Sequence, residues 1–154
     1  MKRFFFSQEA LLRLRKQRQH IIESEVLQAS QLVVSREHDI EALLASLQQT
    51  FQRMRHAETS YPQQAAKWNA YKNTQQLQQQ ISQAQQLLTE AKTRLSVERQ
   101  NLKQAEIEVE ALQTLRAARL RAYRARLSVN LQHDANEATM FKWMGNNRGR
   151  LTDD

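Results

Sequence analysis

The chain has 154 residues, no Cys, one Pro and two Gly, and both Gly lie beyond residue 144. Lys and Arg number 23 against 16 Asp and Glu, a formal net charge of +7 that asks for acidic partners or an anionic surface. This composition excludes a disulfide framework or a thiolate metal site, and it denies an all-β or α/β domain its turn residues.

The start, Met1-Lys2-Arg3-Phe4-Phe5-Phe6, is basic and then briefly apolar, with charge resuming at Glu9. It has neither the apolar core nor the small-residue cleavage site of a signal peptide. No apolar run approaches the ~18 residues of a membrane span, so the expected compartment is the cytoplasm. A helix is predicted over 7–58. Phe5, Leu12, Ile22, Val26, Ala29, Val33, Ile40, Leu43, Leu47 and Met54 recur in it at 3-4 spacing, interrupted by Gln8, Arg15, Gln19, Arg36 and Thr50. Such a narrow stripe is a coiled-coil seam rather than the broad face of a globular helix.

The only Pro, Pro62, stands in Glu58-Thr59-Ser60-Tyr61-Pro62-Gln63. Ser60 and Gln63 fit a capping box, and Pro62 then falls in the first turn, where its missing N–H costs little. A corner is predicted over 59–61 and a second helix over 61–142. Its seam runs through Ala70, Leu77, Ile81, Ala84, Leu88, Ala91, Leu95, Leu102, Ala105, Val109 and Leu112, with Thr74 and Glu98 as the polar members. The Gln-rich stretch from Gln75 to Gln86 keeps this seam and reads as a solvated helix face. The tail 145–154 holds both Gly and is expected to be flexible.

Two adjacent seams on one chain bury each other at little loop-closure cost. The fold class is therefore all-α: a long two-helix antiparallel coiled-coil hairpin with an overhanging C-terminal helix, one domain over 1–144. The alternative is one helix kinked at Pro62. In the hairpin, paired residue numbers sum to about 120–124, placing Val26 near Leu95. The first helix then ends opposite residues just short of 120. The overhang of about twenty residues, ~30 Å by helical rise, carries Leu120, Tyr123, Leu127 and Leu131 with no partner. Arg116, Arg119, Arg121, Arg124 and Arg126 meet the basic start of the chain, including Arg13 and Arg15, on this end. Arg13, Arg15, Arg116, Arg119, Leu120, Tyr123, Arg124 and Leu127 are thus a candidate docking surface for an acidic partner. Phe51, Tyr61, Trp68 and Tyr71 gather near the corner as a second candidate surface. Phe51 is expected to plug the tip, whereas Trp68 and Tyr71 cannot both join a seam that runs through Ala70.

No catalytic, cofactor or metal site is expected. There is no Gly-rich phosphate loop. His20, His38 and His56 are ~27 Å apart by helical rise, too far to share an ion. His133 stands alone on the overhang, and the Glu37-Asp39-Glu41 and Glu106-Glu108-Glu110 runs are solvated faces.

The leader Met1–Arg18, with its Leu-Leu-x-Leu-Arg stretch, resembles the start of FliJ proteins. Trp68-x-x-Tyr71 is similar to the aromatic pair opening the second helix in some members, and His133-Asp134-Ala135-Asn136-Glu137-Ala138 looks like a degenerate Asp-Glu-Ala motif, with Asn136 in place of the Asp. The resemblance extends to the virulence-system counterparts, the SctO/YscO proteins. It implies a non-enzymatic stalk of the type III export apparatus that binds and promotes the hexameric export ATPase and contacts the export gate membrane protein and export chaperones. It also implies a cytoplasmic protein, peripheral at the inner membrane when assembled and a monomer when isolated. The rival readings are a dimeric coiled-coil adaptor and a nucleic-acid-binding coiled coil, the latter weakened by Arg residues that lie round much of the helix.

Overall fold

The computed structural model describes residues 4–59 and 64–149. Two helices account for nearly all of them: α1, Glu9–Thr59, and α2, Gln64–Gly149, with no strand among the described residues. The two pack against each other as an all-α helical hairpin. Packing groups the residues into two units, Met1–Arg15 with Ile107–Asp154, and Lys16–Glu106.

Helix α1 starts where its backbone is first satisfied. Gln8 accepts the first helical bond from the Leu12 N–H at 2.9 Å, and the Glu9 N–H turns back to the Phe6 carbonyl at 3.1 Å. Glu9 in the first turn and His56 in the last suit the helix dipole. Hydroxyl residues inside the helices bond one turn back, as Thr50 does to the Ser46 carbonyl, Thr74 to Ala70 and Thr93 to Thr89, each at 2.9 Å.

In the second unit the core is Ala29, Val33, Ala91 and Leu95, with Val26, Leu32 and Leu88 packed against it. Ile22, Ile81 and Ala105 are buried further along the same seam. Alanines facing each other let the helices approach closely. Thr50 is buried with its hydroxyl already bonded, and the Thr74 hydroxyl lies 3.9 Å from the Met54 sulfur. Glu37 pairs with Lys92 at 3.1 Å. Val26 lies against the cluster that holds Leu95, as the expected register has it. Met54 meets Thr74 about one turn further along α2 than a corner at Ser60 requires. Helix α1 stays helical through Thr59 and α2 begins only at Gln64; the capping residues Ser60, Pro62 and Gln63 lie outside the described residues.

In the first unit the seam continues through buried Leu12 and Val109. Arg15 donates to Glu108 at 2.6 Å and Arg116 to Glu9 at 2.8 Å, which fixes the antiparallel sense. Residues 4–8 precede α1 as a strap. Phe6 is buried at 4% exposure, whereas Phe5 is 83% exposed, so the expectation of Phe5 on the seam is corrected. The strap is not helical, and the 3-4 spacing does not extend into it. The strap also carries cover past the expected limit near residue 120. Phe4 packs on Tyr123 with ring centroids 5.6 Å apart, and the Arg119 guanidinium lies 5.7 Å from the Phe6 ring while donating to the Ser7 hydroxyl at 3.0 Å. Tyr123 therefore has an intramolecular partner, contrary to the sequence expectation.

Beyond Leu127, α2 is exposed on every side through residue 145. It runs to Gly149, past the expected end at 142. Gly145 sits inside it, with open space where a Cβ would stand. A single Gly costs a helix about 1 kcal/mol relative to Ala, too little to stop it without a Pro. Residues 150–154 of the expected tail lie outside the described residues.

Replacing Leu95 with Ala should destabilise the hairpin by roughly 2–4 kcal/mol in urea unfolding, whereas Val97→Ala on the exposed face should stay within about 0.5 kcal/mol. Phe6→Ala should cost roughly 3 kcal/mol or release the strap outright, read as faster amide exchange near the start of α1, while Phe5→Ala should be nearly silent.

Candidate partner-docking surfaces

The structure divides the candidate cations of the first unit into two groups. Arg15, Arg116 and Arg119 are held by their own chain, through Glu108, Glu9 and the Phe6-Ser7 strap respectively. Arg13 and Arg124 are exposed and, among the described residues, carry no ion pair, and the same holds for Arg121 and Arg126. The first group fixes the register of α1 on α2; the second leaves positive charge facing solvent. Leu120, Tyr123 and Leu127 are half-buried and prolong the seam to its end.

Leu131, expected on the overhang, is exposed, and a cluster absent from the sequence expectations accompanies it: Val129, Met140, Phe141, Trp143 and Met144 are all exposed on α2. The signal was present: four large apolar residues stand in the five positions 140–144, broken only by Lys142. At 3.6 residues per turn Val129, Met140, Trp143 and Met144 share one side, and Met140 lies roughly 140° round the helix from Leu127. This stripe is therefore not a continuation of the seam but a separate apolar face.

In the second unit Trp68 and Tyr71 are 59% and 51% exposed, so neither joins the core. Their rings stack with centroids 6.1 Å apart and planes 25° from parallel. Lys72 places its ammonium 5.6 Å from the Trp68 ring, and Gln75 donates to the Tyr71 hydroxyl at 3.3 Å. The pair is thus held on the surface before any partner arrives. Beside it runs an open groove of about 650 Å³ lined by Thr50, Met54, Ala70 and Tyr71. The expectation that Phe51 plugs the tip is corrected: its side chain is exposed. The seam passes through Thr50 and Met54, and residue 51 lies one position off it. Tyr61 lies outside the described residues.

The titratable groups make local surface pairs. His20 Nδ1 lies 3.0 Å from Glu23 and His38 Nδ1 3.8 Å from Glu41. The His20 hydrogen bond, and then that from Gln19, hold the Glu23 carboxyl below the usual carboxylate range. His133 is not as solitary as the sequence implied. Ligand atoms of His133, Asp134 and Glu137 lie within 4.8 Å of one another and could hold a metal ion, although all three side chains are exposed and His133 already sits 3.4 Å from Glu137. Residues three and four positions apart on a helix, as Asp134 and His133 are from Glu137, come together in this way without any ion.

Neither the curated proteins nor the solved structures contain a match to the chain. The family model described as flagellar FliJ protein matches residues 6–148, almost the whole of both helices. The chain therefore belongs to the FliJ family, components of the flagellar export apparatus.

Proposed function

We propose that the chain is a non-enzymatic stalk that binds the hexameric export ATPase and promotes its assembly and activity. The observation that carries this reading is the stretch 128–145 of α2, helical yet exposed on all sides. An isolated helix gains little from its own hydrogen bonds, and one that displays Val129, Leu131, Met140, Phe141, Trp143 and Met144 to water gains more when a host covers it. Large apolar anchors supply affinity in such interfaces, and the unpaired Arg13, Arg121, Arg124 and Arg126 supply steering toward acidic walls. Arg15, Arg116 and Arg119 contribute by keeping the strap and α1 in register rather than by meeting the ring.

In the second unit the exposed Trp68–Tyr71 stack is the contact for the cytosolic domain of the export gate membrane protein, with export chaperones as further partners. Exposed aromatics held in one orientation lose little entropy on binding. No helix among the described residues is long and apolar enough to cross a membrane. The working position, the cytoplasmic face of the inner membrane, is then reached through partners.

Reversing charge in Arg121→Glu/Arg124→Glu should slow association with the purified export ATPase by roughly tenfold at low salt, with the difference fading as salt is raised. An unchanged rate would remove the docking role of these arginines. Trp68→Ala/Tyr71→Ala should weaken binding to the gate's cytosolic domain by about 2 kcal/mol or more in calorimetry, and equal affinity would remove the tip contact. The rival adaptor reading requires a dimer through the exposed α2 face. Analytical ultracentrifugation of the isolated chain should instead give a monomer.

A further inference from the structure

We propose that one side of the second unit is a docking groove for a third helix: an acidic amphipathic helix of a partner protein, laid along the α1–α2 seam. The groove, of about 520 Å³, has the buried Val33 and Leu95 as its floor and Lys92, Ser96, Arg99 and Lys103 along its α2 wall. The wall residues recur at spacings of four, three and four, which puts them on one flank of α2 beside the seam, where a coiled coil places the charges that choose its partners.

On the α1 side the groove is lined by Val33, and Glu37, one turn further along α1, reaches across to Lys92 at 3.1 Å. Val34, Ser30 and Leu27 precede Glu37 by three, seven and ten residues and share its face. Leu27 and Val34 are 60% and 63% exposed and one heptad apart, so more than half of each side chain faces solvent. An apolar pair at heptad spacing on one helix, an apolar floor and a row of cations on the other helix form a binding site for a helix with its own apolar stripe.

Charge decides which helix. The acids of this α1 face are already engaged: Glu37 by Lys92, Glu23 by Gln19 and His20, and Glu41 beside His38. Arg99 and Lys103 have no ion pair among the described residues and both face solvent, with Glu106, three residues beyond Lys103, as the nearest acid on this flank of α2. A helix with Glu or Asp flanking its apolar stripe neutralises them. A second copy of this chain is disfavoured by the +7 that each copy carries. Nucleic acid is disfavoured because the groove has an apolar floor and no aromatic ring on which a base could stack.

The test uses the full chain and two synthetic helices, both with Leu along one heptad stripe, one flanked by Glu and the other by Lys. Fluorescence anisotropy should show binding of the Glu helix and none of the Lys helix. Arg99→Glu/Lys103→Glu should weaken the Glu helix at least about tenfold and confer binding of the Lys helix. Leu27→Gln/Val34→Gln should weaken it to a similar extent with little salt dependence, and circular dichroism melts should show both variants folded. These outcomes support the groove. Equal binding of both helices, no measurable binding of either, an unaltered affinity after charge reversal, or tighter binding of a duplex oligonucleotide that the same reversal abolishes would each overturn it. None of these readouts involves the export ATPase or the gate, so the inference stands or falls apart from the stalk reading.

Discussion

Everything in this molecule depends on one narrow contact, the line of small and branched side chains along which α1 and α2 meet. Ala29, Val33, Ala91 and Leu95 form its best-buried stretch. Each buried Val or Leu contributes about 1.5–3 kcal/mol, and each alanine lets the backbones come closer so that its neighbours lose more water. Two helices cannot wrap a side chain completely, and no large side chain among the described residues is fully enclosed. Stability is therefore spread over many half-buried positions. Several polar residues persist on the seam because they have a local solution: Thr50 bonds its own helix, Arg15 meets Glu108, and the carboxylate of Glu98 accepts from Asn101, whereas the buried Oε1 of Gln8 has no partner among the described residues.

The same contact determines what is left over. Where α1 gives way to the strap, Phe6 and Phe4 replace helical packing with two aromatic contacts, and cover ends at Tyr123 and Leu127. Ion pairs from Arg15 and Arg116 hold that boundary in register. Each pair is partly exposed and worth at most about 1 kcal/mol, so they act as guides more than as sources of stability. Past the boundary α2 continues on helix propensity alone. A chain rich in Ala, Leu and Gln, with no Pro after residue 62, has little reason to stop.

Periodicity made the helical part legible. Within α1 and α2 every predicted seam residue from Leu12 to Met54 and from Ala70 to Leu112 is buried or half-buried. The errors fall where the helical period does not apply or where pairing is not local. Phe5 lies on the helical count, but residues 4–8 are not helical and it is Phe6 that is buried there. Phe51 stands among the aromatics near the corner, but its place one residue off the seam leaves it exposed. The pairing of Arg15 and Arg116 with glutamates depends on interhelical register, which one sequence fixes only to within a few residues. The Met140–Met144 cluster is obscured in the sequence by the neighbouring Gly145, which suggests the start of a flexible tail although a lone Gly is a weak helix stop.

Membership of the FliJ family gives these surfaces a setting, and the proposed stalk role requires a host to cover the exposed end of α2. Hydrogen–deuterium exchange of the chain, free and bound to the hexameric export ATPase, tests this most directly. Amides of residues 128–145 should exchange rapidly in the free chain and become strongly protected in the complex, while those flanking Ala29, Val33, Ala91 and Leu95 should be slow in both. Protection that appears elsewhere and leaves 128–145 unchanged would contradict the account.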